Sequence, residues 1–90
     1  MALNLKTISI RFVCATSNPV ARSQAKQVLK DIRDVNFLEL DFAGITEIGQ
    51  GFADEVFRVF ANQHPEMKLE ATNTTLDVAR MIRRARETER

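Results

Sequence analysis

The chain has 90 residues, a single cysteine, and 13 basic against 12 acidic side chains, which gives a net charge of +1. This length allows one hydrophobic core, so we expect a single domain over residues 1–90. The balanced charge disfavours bulk attraction to nucleic acid or to an anionic membrane, and no apolar run is long enough for a membrane span. Because a lone cysteine cannot form an internal disulfide, a reducing cytoplasm is the expected compartment.

The first half of the chain predicts a strand, a helix and a second strand. Residues 6–14 alternate polar and apolar side chains, and the apolar side consists of Ile8, Ile10, Phe12 and Cys14. The helix begins at Asn18 and Pro19, a cap and a first helical residue, or alternatively at Ser23. The second strand, "NFLELDF", alternates again, with Leu38, Leu40 and Phe42 on its apolar side.

The second half predicts a helix, a third strand and a last helix. The helix begins between Gly49 and Phe52 and ends at "NQHP", because the proline disfavours helical geometry at His64. The strand "EMKLEA" alternates like the others, and the last helix begins at the cap-like "NTT" and contains Leu76, Val78 and Ile82. The order βαβαβα with one apolar face per strand predicts a small parallel sheet with its helices largely on one face.

Three stretches carry a resemblance to a known family: "ARSQAKQVLKDI", "FLELDFAGITEIGQGFADEVFRVFANQHPEMKL" and "VARMIRRA". They are similar to the STAS-like domain family of unknown function, which is related to the anti-sigma-factor antagonists. The resemblance implies a STAS-like fold and a regulatory module, of bacterial type, that binds a protein partner, with kinase-like ATPases among the partners of related domains.

In the antagonists, a serine after the central strand is phosphorylated to break the complex. Aligning "LDFAGITEIGQGF" with that pattern places Gly51 at the phosphorylated serine and Gln50 at the serine before it. Glycine has no hydroxyl to accept phosphate, so the usual switch is missing at this position.

A partner-binding surface is expected where the loop around "GQG" meets the helix start "ARSQAK". Both follow strands at the carboxyl edge of the sheet, where ligands and partners of parallel sheets dock. Ser23 is the only hydroxyl in this set and the candidate phosphoacceptor, although it is also a favoured helix cap. The expected surface consists of Arg22, Ser23, Gln24, Glu47, Gly49, Gln50, Gly51, Asp54 and Glu55.

Other chemistry is weakly indicated, and we predict no catalytic residue, cofactor or metal. The acids Asp41, Glu47, Asp54 and Glu55 are near in sequence but need not converge, and Asp41 could instead pair with Arg11. His64 has no neighbouring histidine or cysteine, and Cys14 is most simply a small apolar residue. The glycines could admit an anion at a helix start, but Asp54 and Glu55 would repel it.

Two further hypotheses stay open. Self-association is expected across the open sheet face or an edge strand. The alternative function is a nucleic-acid-binding regulator that uses the basic last helix, although that helix has no aromatic residue for base stacking and carries acids as well. Its basic residues are Arg80, Arg83, Arg84, Arg86 and Arg90.

Overall fold

A computed structural model describes residues 4–87 and shows a three-stranded parallel sheet in the order β1-β2-β3. The strands are β1 (Leu5–Ser9), β2 (Phe37–Asp41) and β3 (Lys68–Thr72). The register is uniform, because Leu5 lies opposite Phe37, which lies opposite Lys68. The parallel α/β architecture predicted from the alternating segments is confirmed.

The helices form a layer in which a central helix packs between two others. The central helix spans residues 50–63 and consists of α3 (Gln50–Asp54), a π-helical segment (Glu55–Phe60) and α4 (Ala61–Gln63). Both α2 (Arg22–Leu29) and α5 (Leu76–Glu87) pack against it, and the short α1 (Ile10–Cys14) packs against α2. No helix within residues 4–87 has the length and apolar character that a membrane span requires.

The two faces of the sheet differ in burial. Leu38 and Leu40 of β2 are fully buried beneath the helices, whereas Phe37, Glu39 and Asp41 on the other face are only half-buried. On that open face the Glu39 carboxylate accepts hydrogen bonds from the hydroxyls of its neighbours in β1 and β3, at 3.0 and 2.8 Å. The expected one-sided helix layer is therefore present, and the open face is polar around its centre.

The first predicted strand is wrong beyond Ser9, where the chain turns into α1. The Ser9 hydroxyl accepts a hydrogen bond from the Phe12 N–H at 3.2 Å, so it caps a helix instead of continuing the alternation. Ile8 and Ile10 are buried as expected, but Phe12 is 85% exposed and Cys14 only partly buried. Alternation alone could not show this, because the same residues also fit one helical turn.

The predicted helix boundaries are partly correct. The last helix begins after Thr75, whose hydroxyl accepts from the Val78 N–H at 3.2 Å, as the "NTT" cap predicts. Leu76, assigned to the apolar stripe of this helix, is 66% exposed. The first long helix begins at Arg22 instead of either predicted position. The π-helical segment has no signal in the apolar pattern, which fits an ordinary helix.

Candidate functional site

Three chain segments meet at the carboxyl edge of the sheet. The Thr46 N–H donates to the Ser17 carbonyl at 2.8 Å, and the Thr46 carbonyl accepts from the Thr75 hydroxyl at 2.9 Å. The Gly49 N–H donates to the Pro19 carbonyl at 2.9 Å. These bonds join the segment before α2, the loop after β2 and the turn after β3 into one continuous surface.

Val20 lies directly over the two glycines of the "GQG" stretch. Its carbonyl accepts from the Phe52 N–H at 3.2 Å, so the chain itself occupies an amide at the start of α3. A Cβ on Gly49 would lie 2.7 Å from the Val20 Cα and carbonyl oxygen, whereas a Cβ on Gly51 would lie 3.4 Å from that oxygen. Gly49 is therefore required for close packing of backbone on backbone, and Gly51 is not.

A cluster of alternating charges lies beside this contact. We name Arg22, Asp54, Glu55 and Arg58 the Arg22 cluster. The Arg22 guanidinium donates to Asp54 at 2.9 Å and to Glu55 at 3.2 Å, which joins α2 to the central helix. Arg58 holds the Asp54 carboxylate from one turn further along through two hydrogen bonds, one of them 2.7 Å long.

The electrostatics of this cluster stabilise its ionised form. The Arg58 hydrogen bonds, aided by Arg22, lower the pKa of Asp54 to about 2, although burial opposes the shift. Glu55 is 9% exposed and has the Arg22 guanidinium as its ionic partner. Both carboxylates are thus neutralised by arginines of the chain, and Arg22, with 47% of its side chain exposed, is the most exposed of the four charged groups.

Gln24 closes the start of α2. Its side-chain oxygen accepts from the Val20 N–H at 2.9 Å and the Ala21 N–H at 2.8 Å, which is the glutamine half of a capping box. Ser23, proposed as a cap, lies within the helix and is exposed. The predicted cap at Ser23 is therefore wrong.

The remaining predicted residues lie around this edge. Glu47 and Gln50 are exposed, and Gln50 borders a groove of about 270 Å³ between α3 and α5. The groove is also lined by Ala53, Asp54, Met81, Arg84 and Ala85. The structure therefore brings the two predicted segments together, with Gln24 and Glu55 supporting the surface from beneath it.

The sequence profile described as a STAS-like domain of unknown function matches residues 24–79, which is more than half of the chain. The chain belongs to this family. The match includes the whole "GQG" loop and the central helix, and it begins two residues after Arg22. The searches of curated proteins and of solved structures returned no match.

Val20 and Arg58 belong to this site of the STAS-like domain, although the sequence did not predict them. A valine after a proline carries no distinctive pattern. Arg58 had a readable signal, since it follows Asp54 by four residues and such pairs meet on one helix face.

Asp41, placed in a pair with Arg11, has other partners. Its carboxylate accepts from the Asn73 side-chain amide and from the Ala43 N–H, both at 2.9 Å. These bonds, the Asn73 contact first, lower the pKa of Asp41. The Arg11 side chain lies instead against Gly44, where a Cβ would come within 3.3 Å of it. Asp41 therefore stabilises the turn that leads into the loop.

The other residues with reactive side chains lie apart from this site. Within residues 4–87, no three His, Cys, Asp or Glu side chains come together as metal ligands. The His64 ring packs on Phe60 with ring centres 4.3 Å apart, near the Glu66 carboxylate at 3.9 Å. Burial raises the pKa of the Cys14 thiol, which disfavours a reactive thiolate.

The arginines of α5 have separate surroundings. Arg83 and Arg86 line a groove beside β3, and the Arg86 guanidinium lies 5.2 Å from the centre of the Phe57 ring. Arg84 borders the groove beside α3, and Arg80 lies 4.0 Å from Asp77. Arg90 is outside the described residues. The arginines that the structure describes therefore lie at different places around α5.

Proposed function

We propose that this STAS-like domain is a non-enzymatic regulatory module, of bacterial type, that binds a protein partner through the carboxyl edge of its sheet. The observation that carries the proposal is Val20, an apolar side chain that is 57% exposed in the middle of this surface. Its backbone is held by hydrogen bonds to Gln24 and Phe52, so the side chain is presented by a fixed scaffold.

The surroundings of Val20 have the composition of a binding surface. Interfaces combine an apolar centre with a polar rim, and arginine is enriched in them. Here the rim contains the exposed Gln50 and Glu47, together with Arg22 and Ser23 on the α2 side. Preorganisation by the Arg22 cluster lowers the entropic cost of binding, because Arg22 is already held in position.

The proposed partner class is taken from domains related to this family, whose own function is unknown. Related domains engage kinase-like ATPases, and we propose such a protein as the partner, in a reducing compartment such as the cytoplasm. Gly51, within the first turn of α3, has no hydroxyl, so phosphorylation at this position cannot release the complex. Either binding is constitutive or control comes through another group, for which the exposed Ser23 beside Arg22 is the candidate.

A charge placed at Val20 tests the proposal. We expect a tagged wild-type chain to retain an ATPase of this kind from an extract of its source cells. The Val20→Asp variant should retain at least tenfold less, because a carboxylate would be desolvated in the interface. Quantitative mass spectrometry of the retained proteins gives the measurement, and titration of the purified partner gives the affinity.

Leu5→Asp is the matched control, since Leu5 is an aliphatic residue of similar exposure, 65%. It lies at the amino end of β1, whereas Val20 lies at the carboxyl edge of the sheet. Circular dichroism and thermal unfolding show whether each variant is folded. Equal retention by wild type and Val20→Asp, or loss with Leu5→Asp alone, would place the binding surface elsewhere.

A further inference from the structure

The outer edge of β1 is a second interaction surface, separate from the one around Val20. We propose that two copies of the chain pair through this edge, with their β1 strands antiparallel about a twofold axis at Thr7. The product is a continuous six-stranded sheet, in which the three strands of each copy extend those of the other. A twofold contact of this kind is closed, so it yields a dimer and not a filament.

The backbone of β1 is arranged for this pairing. The Asn4 carbonyl accepts from the Asn36 N–H at 2.9 Å and from the Phe37 N–H at 3.2 Å, so it points toward β2. Backbone N–H and C=O groups alternate in direction along a strand. Those of Leu5, Thr7 and Ser9 therefore point away from β2. An axis at Thr7 places Thr7 opposite its own copy and Leu5 opposite Ser9, which matches all three outward residues.

The two edges of the sheet differ in a way that selects β1. The groove beside β3 is lined by five charged residues, Lys68, Glu70, Arg83, Arg86 and Glu87, and charges along an edge protect it from pairing. The groove beside β1 is lined by three, Lys6, Lys30 and Asp31. Beside β1, in contrast, lie the half-buried apolar residues Val13 and Ile32, and the groove there measures about 420 Å³.

Phe12 gives the β1 edge an apolar anchor. It lines the β1 groove and, at 85%, is the most exposed of the large hydrophobic residues in residues 4–87. An exposed phenylalanine forgoes the favourable free energy of burying its ring, which a contact between two copies would recover. Because α1 follows the carboxyl end of β1, Phe12 lies at that end of the groove.

An antiparallel copy supplies the complementary surface. It brings the carboxyl end of one β1 to the amino end of the other, where Ile32 lies near Asn4. Lys6 and Lys30 also line the groove, and ammonium groups bind favourably over a phenylalanine ring. Asp31 adds an opposite charge, and a net charge of +1 per chain gives little repulsion between copies.

Cross-linking tests the register of the proposed pair. Hydrogen-bonded residues of antiparallel strands have Cα atoms about 5.5 Å apart, which is within reach of a disulfide. In a Cys14→Ser background, Thr7→Cys should therefore form a covalent dimer under mild oxidation. Leu5→Cys should not cross-link to its own copy, because four residues of strand separate it from the twofold partner, roughly 13 Å.

Light scattering and sedimentation test the surface. The wild-type chain should be a dimer, and Phe12→Asp should raise the dimer dissociation constant roughly tenfold or more. Leu76→Asp is the matched control, because Leu76 is a 66% exposed aliphatic residue on α5, and its dissociation constant should be unchanged.

Three outcomes would overturn the proposal: a wild-type chain that is monomeric at every concentration, a dimer unaffected by Phe12→Asp, or equal cross-linking of Thr7→Cys and Leu5→Cys. None of them bears on the Val20 surface, since neither Phe12 nor Thr7 belongs to it. An unfolded Phe12→Asp variant would leave the Thr7→Cys cross-link as the deciding measurement.

Discussion

Gly49 and Gly51 are two residues apart in the same loop, yet the space around them differs. A Cβ on Gly49 would collide with Val20 backbone at 2.7 Å, which no side-chain rotation can relieve. A Cβ on Gly51 would meet its nearest atom at 3.4 Å, an ordinary contact. Neither glycine has a positive φ, so the difference comes from packing alone.

We predict opposite effects of alanine at these two positions. Gly49→Ala should lower the free energy of unfolding by about 1–3 kcal/mol, because the Pro19–Val20 segment must move away. Gly51→Ala, in the first turn of α3, should leave it unchanged or raise it by up to about 1 kcal/mol, because alanine favours a helix. Urea unfolding of both variants measures this, and equal effects would contradict the proposed close contact.

The charge state of Asp54 predicts a pH dependence of stability. Its pKa falls from 3.8 to about 2 on folding, first through Arg58, so the folded state favours the carboxylate. The stabilisation is complete above pH 3.8 and is lost as the pH falls through about 2. Acid should therefore weaken the pair of Asp54 with Arg58 within the central helix and, to a lesser extent, its pair with Arg22 of α2.

Asp54→Asn isolates this contribution. Near neutral pH the variant should unfold with a free energy lower by about 1–2 kcal/mol, since hydrogen bonds to a charged group are replaced by weaker neutral ones. The difference from wild type should shrink between about pH 4 and pH 2 as the wild-type carboxylate is protonated. A difference that stays constant down to pH 2 would show that the amide disturbs packing instead.

At the scale of elements, α1 ends at a residue with an unfavourable backbone conformation. Ala15 terminates this helix with φ of 56°, a left-handed conformation that L-residues other than glycine adopt at a cost. Its N–H nevertheless donates to the Arg11 carbonyl at 3.0 Å, so the turn is closed. The helix therefore ends where glycine would be the favoured residue.

Ala15→Gly should accordingly stabilise the protein by roughly 1 kcal/mol. Ala43→Gly is the control, because Ala43 is also exposed in a turn but does not have a positive φ. It should give no gain, and at most a small loss from the greater freedom of the unfolded chain. Thermal and urea unfolding compare the two, and an equal response would contradict the conformational explanation.

The elements also show where sequence patterns fail. "NTT" identified the start of α5 because Thr75 acts locally, through a hydrogen bond three residues ahead. The end of β1 was missed because alternation continues through Phe12 and Cys14, while Ser9 caps a helix. A strand needs a neighbour to pair with, and β2 supplies none after Asp41, which lies opposite Ser9.

At the scale of the whole molecule, one sheet with helices on a single face leaves three surfaces open: the carboxyl edge, the outer strand edges and the polar face. The polar side chains at the centre of the open face bond to one another, since Glu39 accepts hydrogen bonds from both neighbouring strands. The carboxyl edge presents Val20, and the β1 edge presents Phe12. We therefore expect partner binding and self-association to use different sides and to be separable by mutation.

The sequence by itself determined the α/β class, the three parallel strands, the one-sided helix layer and the family, because these depend on apolar periodicity and on a long specific string. It also predicted that the two site segments lie at the same edge of the sheet, because the carboxyl ends of parallel strands meet at one edge. Only the tertiary structure decided that Val20 covers Gly49, that Arg22 neutralises Asp54 and Glu55, and that Phe12 is exposed. The contacts of Val20 and Arg22 join residues that are about 30 apart in the chain, and no local pattern encodes the distance between them.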